Sequence, residues 1–76
     1  MRYLFFTHDD CTACEEVRSS PEWRETEKDI EEIDVYTDDG QDLANKHNVR
    51  SVPTFIEISE NGSKSMTVGT RIRRRL

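Results

Sequence analysis

The stretch Asp10-Cys11-Thr12-Ala13-Cys14 holds both cysteines of this 76-residue chain, with two residues between them. If Cys11 opens a helix, Cys14 lies one turn further along, because side chains at positions i and i+3 share a face. The Cα separation of roughly 5.5 Å that a disulfide prefers is then reached without unwinding the backbone. Cys11 would also lie among the unpaired N–H groups of the first turn, which favour a thiolate. The spacing therefore indicates a reversible dithiol–disulfide pair.

Three other interpretations of the cysteine pair compete with this one. A structural zinc site needs four ligands, and only His8 and His47 could supply nitrogen donors, neither of them within a second close pair. A purely structural disulfide would close a loop too short to constrain the unfolded chain appreciably. Two ordinary buried thiols are the third alternative. We favour the redox pair and predict no metal ligands.

Composition predicts one small domain covering residues 1–76. Apolar residues make up 33% of the chain and charged residues 36%, so the core must be thin. No apolar run approaches the length of a membrane span. The start of the chain reaches Asp9 too soon for a signal peptide, and two cysteines without an export signal suggest a reducing compartment. We expect a cytoplasmic monomer that uses neither a membrane nor nucleic acid.

Charge is distributed unevenly along the chain. The net charge of −5 argues against general binding to nucleic acid. The last six residues nevertheless contain four arginines, at positions 71, 73, 74 and 75. A solvated helix end or frayed tail is the interpretation favoured for this run over a docking patch for an acidic partner.

Apolar runs and turn residues predict the order β-α-β-α-β-β, followed by a short helical turn. Ser20 and Pro21 suit a helix start, so the first helical region should break and restart there. Asn61-Gly62 is a hairpin signal, which makes the last two strands antiparallel neighbours. The predicted strands cover 3–6, 30–36, 54–59 and 64–68, the predicted helices 11–18, 21–28 and 41–47, with a turn at Asp38-Asp39-Gly40 and a final helical turn capped by Thr70.

This order, with the cysteine pair after the first strand and Val52-Pro53-Thr54 before the third, resembles the thioredoxin superfamily over nearly the whole chain. The resemblance implies an α/β fold with a four-stranded mixed sheet. The sequence departs from thioredoxin in having Asp10 in place of the usual Trp and Thr12-Ala13 in place of Gly-Pro. The leading strand and helix of full-length thioredoxin have no counterpart.

The resemblance implies a thiol–disulfide oxidoreductase that reduces protein disulfides. Cys11 would attack the substrate disulfide and Cys14 would resolve the mixed disulfide, with no cofactor beyond the pair itself. Pro53, if cis, would fix a tight bend that leaves the Val52 backbone free to pair with a substrate chain, and Gly69 would allow close approach of the substrate. The implied partners are a disulfide-containing protein and an upstream reductase.

Two features bear on the direction of the reaction and on proton transfer. Asp9 and Asp10 add negative charge beside Cys11 and oppose thiolate formation, so we expect a reducing pair. Thioredoxins bury an aspartate proton acceptor six positions before the first cysteine. That position is Phe5 here, and Asp34 on the neighbouring strand is our candidate for the same role.

Two alternative functions remain open at this stage. One is a glutaredoxin-like electron donor, for example to ribonucleotide reductase. Glutaredoxins, however, hold glutathione with a Gly-Gly-acidic motif where this chain has Val68-Gly69-Thr70-Arg71. The other is a non-catalytic module that binds a metal or docks a partner.

Overall fold

The computed structural model describes all residues, Met1–Leu76, and builds them around a four-stranded sheet. The sheet has the strand order β2-β1-β3-β4. No helix is both long enough and apolar enough to cross a lipid bilayer. The elements are β1 (Arg2–Thr7), α1 (Thr12–Arg18), α2 (Pro21–Glu25), β2 (Ile30–Asp34), α3 (Asp38–Lys46), β3 (Thr54–Ile58), β4 (Lys64–Val68) and a C-terminal 3₁₀ helix (Gly69–Arg75).

The sheet is mixed, as predicted. β1 pairs in parallel with β2 and antiparallel with β3, which in turn pairs antiparallel with β4. The β3–β4 connection is the predicted hairpin, in which Gly62 adopts a φ of +89° that favours glycine. β1 and β3 are therefore the inner strands, and each has hydrogen-bonded neighbours on both sides.

Alternation along β1 divides the core between the two faces of the sheet. Phe5 faces α1 and packs with both cysteines, whereas Leu4 and Phe6 face α3. All three side chains are completely buried, as the continuous apolar run predicts. The α1 face contains Phe5, Cys11, Cys14, Val17, Phe55 and Ile72, and the α3 face contains Leu4, Phe6, Ile33, Ala44 and Ile56.

The predicted break between α1 and α2 is confirmed. The Ser20 hydroxyl accepts from the Trp23 N–H at 3.2 Å and donates to the Val17 carbonyl at 2.6 Å, while Pro21 occupies the first helical position. The helix that follows ends at Glu25 rather than at residue 28. Trp23 is only partly buried, and its ring lies 4.9 Å from that of Phe5.

The prediction of a turn at Asp38-Asp39-Gly40 is wrong, because these residues form the first turn of α3. Thr37 caps this helix by accepting the Gly40 N–H at 2.9 Å, and acidic side chains at a helix N-terminus are favoured by the helix dipole. β2 correspondingly ends at Asp34, so the prediction of a strand over 30–36 is two residues too long, and Val35 and Tyr36 lie outside the observed strand.

The C-terminal arginine run is neither frayed nor capped by Thr70. Val68 is the N-cap of the 3₁₀ helix and provides no side-chain cap. Ile72 is completely buried on the α1 face and anchors the segment. Arg73 pairs with Glu22 at 3.3 Å and Arg75 pairs with Glu57 at 2.8 Å. The segment is therefore the solvated helix end of the prediction and not a frayed tail, because its arginines are exposed while Ile72 completes the core.

Candidate functional site

The two cysteines form a disulfide at the start of α1. Their Cα atoms are 5.2 Å apart. Cys11 is the N-cap residue, with extended backbone angles, and its sulfur accepts the Cys14 N–H at 3.0 Å. Cys11 is 8% exposed and Cys14 is fully buried. The cysteine nearer the helix N-terminus is thus the one that solvent reaches.

The loop between β1 and α1 brings the cysteines onto the sheet. Asp10 donates its backbone N–H to the His8 Nδ1 atom at 3.1 Å, which closes a short turn directly before Cys11. Thr7, the last residue of β1, is buried, and its hydroxyl has no hydrogen-bond partner. Asp9 and Asp10 are exposed beside the pair, as the sequence suggests.

The proline loop supplies the second part of the site. The Val52–Pro53 peptide bond is cis, and Val52 packs against the cluster that contains both cysteines. Gly69 donates its N–H to the Pro53 carbonyl at 3.0 Å and has a φ of +79°. The space around the Gly69 Cα is open, since a Cβ there would meet nothing within 4 Å. The structure thus brings Val52, Pro53 and Gly69 together.

A comparison with solved structures shows which fold this is. The solution structure of a thioredoxin from Thermus thermophilus superposes with a TM-score of 0.70 over 96% of the chain, at 24% sequence identity. The chain has a thioredoxin-like fold. It spans 65% of the length of that thioredoxin. No family model matches the sequence, and no match is found among curated proteins.

Asp34 lies at the end of β2 in this thioredoxin-like fold, opposite Thr7 in the parallel register. Its Oδ1 atom accepts the Tyr36 N–H at 2.9 Å, and its carbonyl accepts the Thr37 hydroxyl at 2.8 Å. Asp34 therefore organises the turn that leads into α3. Its role as a proton acceptor stays a prediction.

A groove that the sequence analysis did not identify adjoins the proline loop on the α3 side. The His8 and Tyr36 rings stack at its rim with centroids 4.8 Å apart. Val52 lines this groove and also packs against the cluster that contains both cysteines, so it contacts both regions. Its volume is about 380 Å³ and its lining comprises His8, Val35, Tyr36, Ala44, Val49, Arg50, Ser51 and Val52.

The two histidines lie in separate surroundings. His8 follows β1 at the site rim, whereas His47 ends α3, with its Nδ1 atom 3.2 Å from the Lys64 ammonium and its ring 6.2 Å from that of Phe6. Burial, followed by the positive charges of Lys64, Lys46 and Arg2, lowers the pKa of His47. No group of three or more His, Cys, Asp and Glu side chains is arranged to hold a metal ion.

Proposed function

We propose that this chain is a thiol–disulfide oxidoreductase that reduces disulfides in a protein substrate. The observation that carries the proposal is the unequal placement of the cysteines in a thioredoxin-like fold. Cys11 keeps 8% of its surface exposed at the N-cap of α1, and Cys14 is completely buried behind it with its N–H directed at the Cys11 sulfur. An accessible nucleophile and a protected resolving thiol are what two-step exchange requires.

In the first step, the Cys11 thiolate attacks one sulfur of the substrate disulfide. The substrate S–S bond breaks, a mixed disulfide with Cys11 forms, and the departing substrate thiolate takes up a proton. In the second step, Cys14 loses its proton and attacks the Cys11 sulfur, which releases the second substrate thiol. Two electrons and two protons pass to the substrate, and an upstream reductase returns them to the Cys11–Cys14 disulfide.

The residues around the pair support each step. The Cys14 N–H and the first turn of α1 stabilise negative charge on the Cys11 sulfur. We assign the Val52 backbone to pairing with the substrate chain and the open side of Gly69 to its close approach. Asp34 is our candidate for accepting the Cys14 proton.

The acidic surroundings favour a reductant over an oxidant. A strongly oxidising pair needs a thiolate stabilised well beyond what one helix terminus provides, which is typically about 0.3–1 kcal/mol. Asp9 and Asp10 oppose such stabilisation, and no lysine or histidine lies between the cysteines. We therefore propose that the pair acts as a reductant. We further propose that the protein is a cytoplasmic monomer with no cofactor other than its own disulfide.

A redox titration of the Cys11–Cys14 pair, followed by alkylation and mass measurement, tests this proposal. A midpoint of about −270 mV would match thioredoxin-type reductants. A midpoint between about −180 and −120 mV would instead indicate an oxidase or isomerase. Thiols that oxidise only after a chelator is added would identify a metal-binding protein.

A trapping experiment then separates protein substrates from glutathione. The Cys14→Ser variant should accumulate a mixed disulfide between Cys11 and a protein disulfide such as that of insulin. The Cys11→Ser variant, which keeps the buried thiol, is the matched control and should accumulate none. Preferential capture of glutathione would favour the glutaredoxin-like alternative.

A further inference from the structure

The free edge of β4 has properties that the redox site does not use. β4 is an outer strand and pairs only with β3. Its Met66 and Val68 side chains are 47% and 38% exposed. The strand pairs with β3 at all five positions and contains no proline, so Lys64 is the main feature that discourages further pairing.

Backbone groups at this edge are directed away from the sheet. Gly69 donates its N–H to the Pro53 carbonyl at 3.0 Å, so position 69 faces β3, as do the other odd-numbered residues of β4. The backbone N–H groups of Lys64, Met66 and Val68 therefore point towards the free edge. An incoming extended segment would find a row of hydrogen-bonding groups there.

Two arginines without ion-pair partners lie beside this edge. Arg73 and Arg75 are neutralised by glutamates, whereas Arg71 and Arg74 take part in no ion pair. Both lie in a groove of about 480 Å³ that runs along the strand, lined by Met66, Thr67, Val68, Arg71, Arg74 and Arg75. This is a local positive patch on a chain whose net charge is −5.

The apolar and basic groups lie on opposite faces of the sheet. Met66 is paired with Ile56 and shares its α3 face, as does Val68. The 3₁₀ helix that carries the arginines packs on the α1 face through Ile72. A strand added to β4 would therefore present alternate side chains to an apolar strip and to two guanidinium groups.

We propose that the β4 edge binds an extended segment of a partner protein in which acidic and apolar residues alternate. The segment adds as a fifth strand, with its apolar side chains on Met66 and Val68 and its carboxylates towards Arg71 and Arg74. The segment matches the edge in two ways. Its carboxylates oppose the charge of the arginines, and its side chains alternate between the two faces with the two-residue period of a strand. This surface is separate from the cysteine pair, so the proposal does not depend on redox activity.

A blocked six-residue peptide of alternating valine and glutamate is the probe. Titrated into the isotope-labelled full chain, it should shift the amide NMR signals of Met66 and Val68 most and slow the exchange of these amides with solvent. The same peptide with lysine in place of glutamate should bind at least tenfold more weakly, because it meets Arg71 and Arg74 with like charge.

Variants test the two components of the surface separately. The double substitution Arg71→Gln and Arg74→Gln should weaken peptide binding at least tenfold. Arg2 and Arg18 pair with glutamates of β2, the opposite edge strand, so Arg2→Gln with Arg18→Gln is the control and should change binding less than twofold.

Met66→Pro should abolish binding, because it removes an N–H that faces the free edge without removing a β3–β4 hydrogen bond. The arginine variants change only surface side chains, so they keep the test decisive if Met66→Pro fails to fold.

Several outcomes would overturn the proposal. These are an absence of signal changes in β4, equal binding of the lysine peptide, or signal changes that map to the His8–Tyr36 groove instead. Concentration-dependent self-association of the chain through β4 would identify a second copy as the occupant. The Cys11→Ser, Cys14→Ser double variant should bind the peptide like the native chain. Failure of the redox proposal can therefore be distinguished from failure of the β4-edge proposal.

Discussion

Thr7 and Thr54 are both buried at the ends of neighbouring strands, yet only the Thr54 hydroxyl has a hydrogen-bond partner. Thr54 donates to the Ser51 carbonyl at 2.7 Å and thereby fixes the proline loop. Thr7 ends the strand that leads to the cysteines, and its Oγ1 atom is buried without a partner. Both hydroxyls are buried, but only that of Thr54 regains in the fold the hydrogen bonding that burial removes.

Substitution with valine should therefore lower the free energy of unfolding at Thr54 but not at Thr7. Thr7→Val replaces an unpaired buried hydroxyl with a methyl group and should leave the free energy of unfolding unchanged or raise it by about 1 kcal/mol. Thr54→Val breaks a hydrogen bond and should lower it by about 1 kcal/mol. Urea denaturation of both variants measures the difference, and equal losses would contradict this account.

The cysteines should differ in reactivity once the disulfide is reduced. Cys11 is at the solvent boundary and Cys14 is fully buried, so iodoacetamide should modify Cys11 at least about tenfold faster. Peptide mass mapping after brief alkylation measures the ratio. In urea the two rates should converge, and equal rates in the folded protein would refute the assignment of roles.

The substitution Asp34→Asn distinguishes the structural role of Asp34 in the turn from its proposed role in proton transfer. The amide oxygen of asparagine can still accept the Tyr36 N–H, so the fold should be retained. If Asp34 accepts the Cys14 proton, the substitution should slow disulfide reduction about tenfold or more at neutral pH and move the pH profile upwards. Asp38→Asn, in the first turn of α3, is the control. An unchanged profile for Asp34→Asn would remove Asp34 from the mechanism.

Gly40→Ala should destabilise the protein although alanine is the better helix former. A Cβ at this position would overlap the Asp34 carbonyl oxygen, so β2 and α3 would have to separate. We expect the overlap to cost about 1–3 kcal/mol against a helix-propensity gain of about 1 kcal/mol, so the net loss should be up to about 2 kcal/mol. Asn45→Ala on the exposed side of the same helix should cost nothing. A stabilised Gly40→Ala variant would show that the contact is not retained in solution.

His47 should make stability depend on pH in the weakly acidic range. Its pKa is lowered in the folded state by burial and neighbouring lysines, so the unfolded chain binds the proton first as the pH falls. Its contribution to stability is complete above the ordinary imidazole pKa and is lost as the pH falls from that value to the lower pKa of the folded state. The loss of stability between pH 7.5 and 5.5 should be smaller in His47→Gln than in the native chain. Identical losses would disprove the linkage.

Local signals were sufficient for most of the fold. The buried run in β1, the Ser20-Pro21 restart and the Asn61-Gly62 hairpin each depend on residues adjacent in sequence, and all three are present. The start of α3 was missed because Asp38-Asp39-Gly40 has turn composition. The deciding contacts are the cap from Thr37 and the close approach of Gly40 to Asp34.

In the candidate site, too, the features formed by residues adjacent in sequence are predictable, and those formed by folding are not. The cysteine spacing and the Val52-Pro53 dipeptide are visible in the sequence. The groove beside them is not, because His8, Tyr36 and Arg50 come from three separate loops that only the folded sheet brings together. Likewise, the arginine run gives no indication that Ile72 would be buried, which is what anchors the final segment.

The strand order places the cysteine pair and the proposed binding edge on different strands. The cysteine pair follows β1 and the proline loop precedes β3, and these inner strands are paired on both sides. β4 contributes no side chain to the cluster that contains the cysteines, so its side chains do not hold the cysteine sulfurs in place. Mutational drift along β4 could thus change the partners of the protein and leave its chemistry intact.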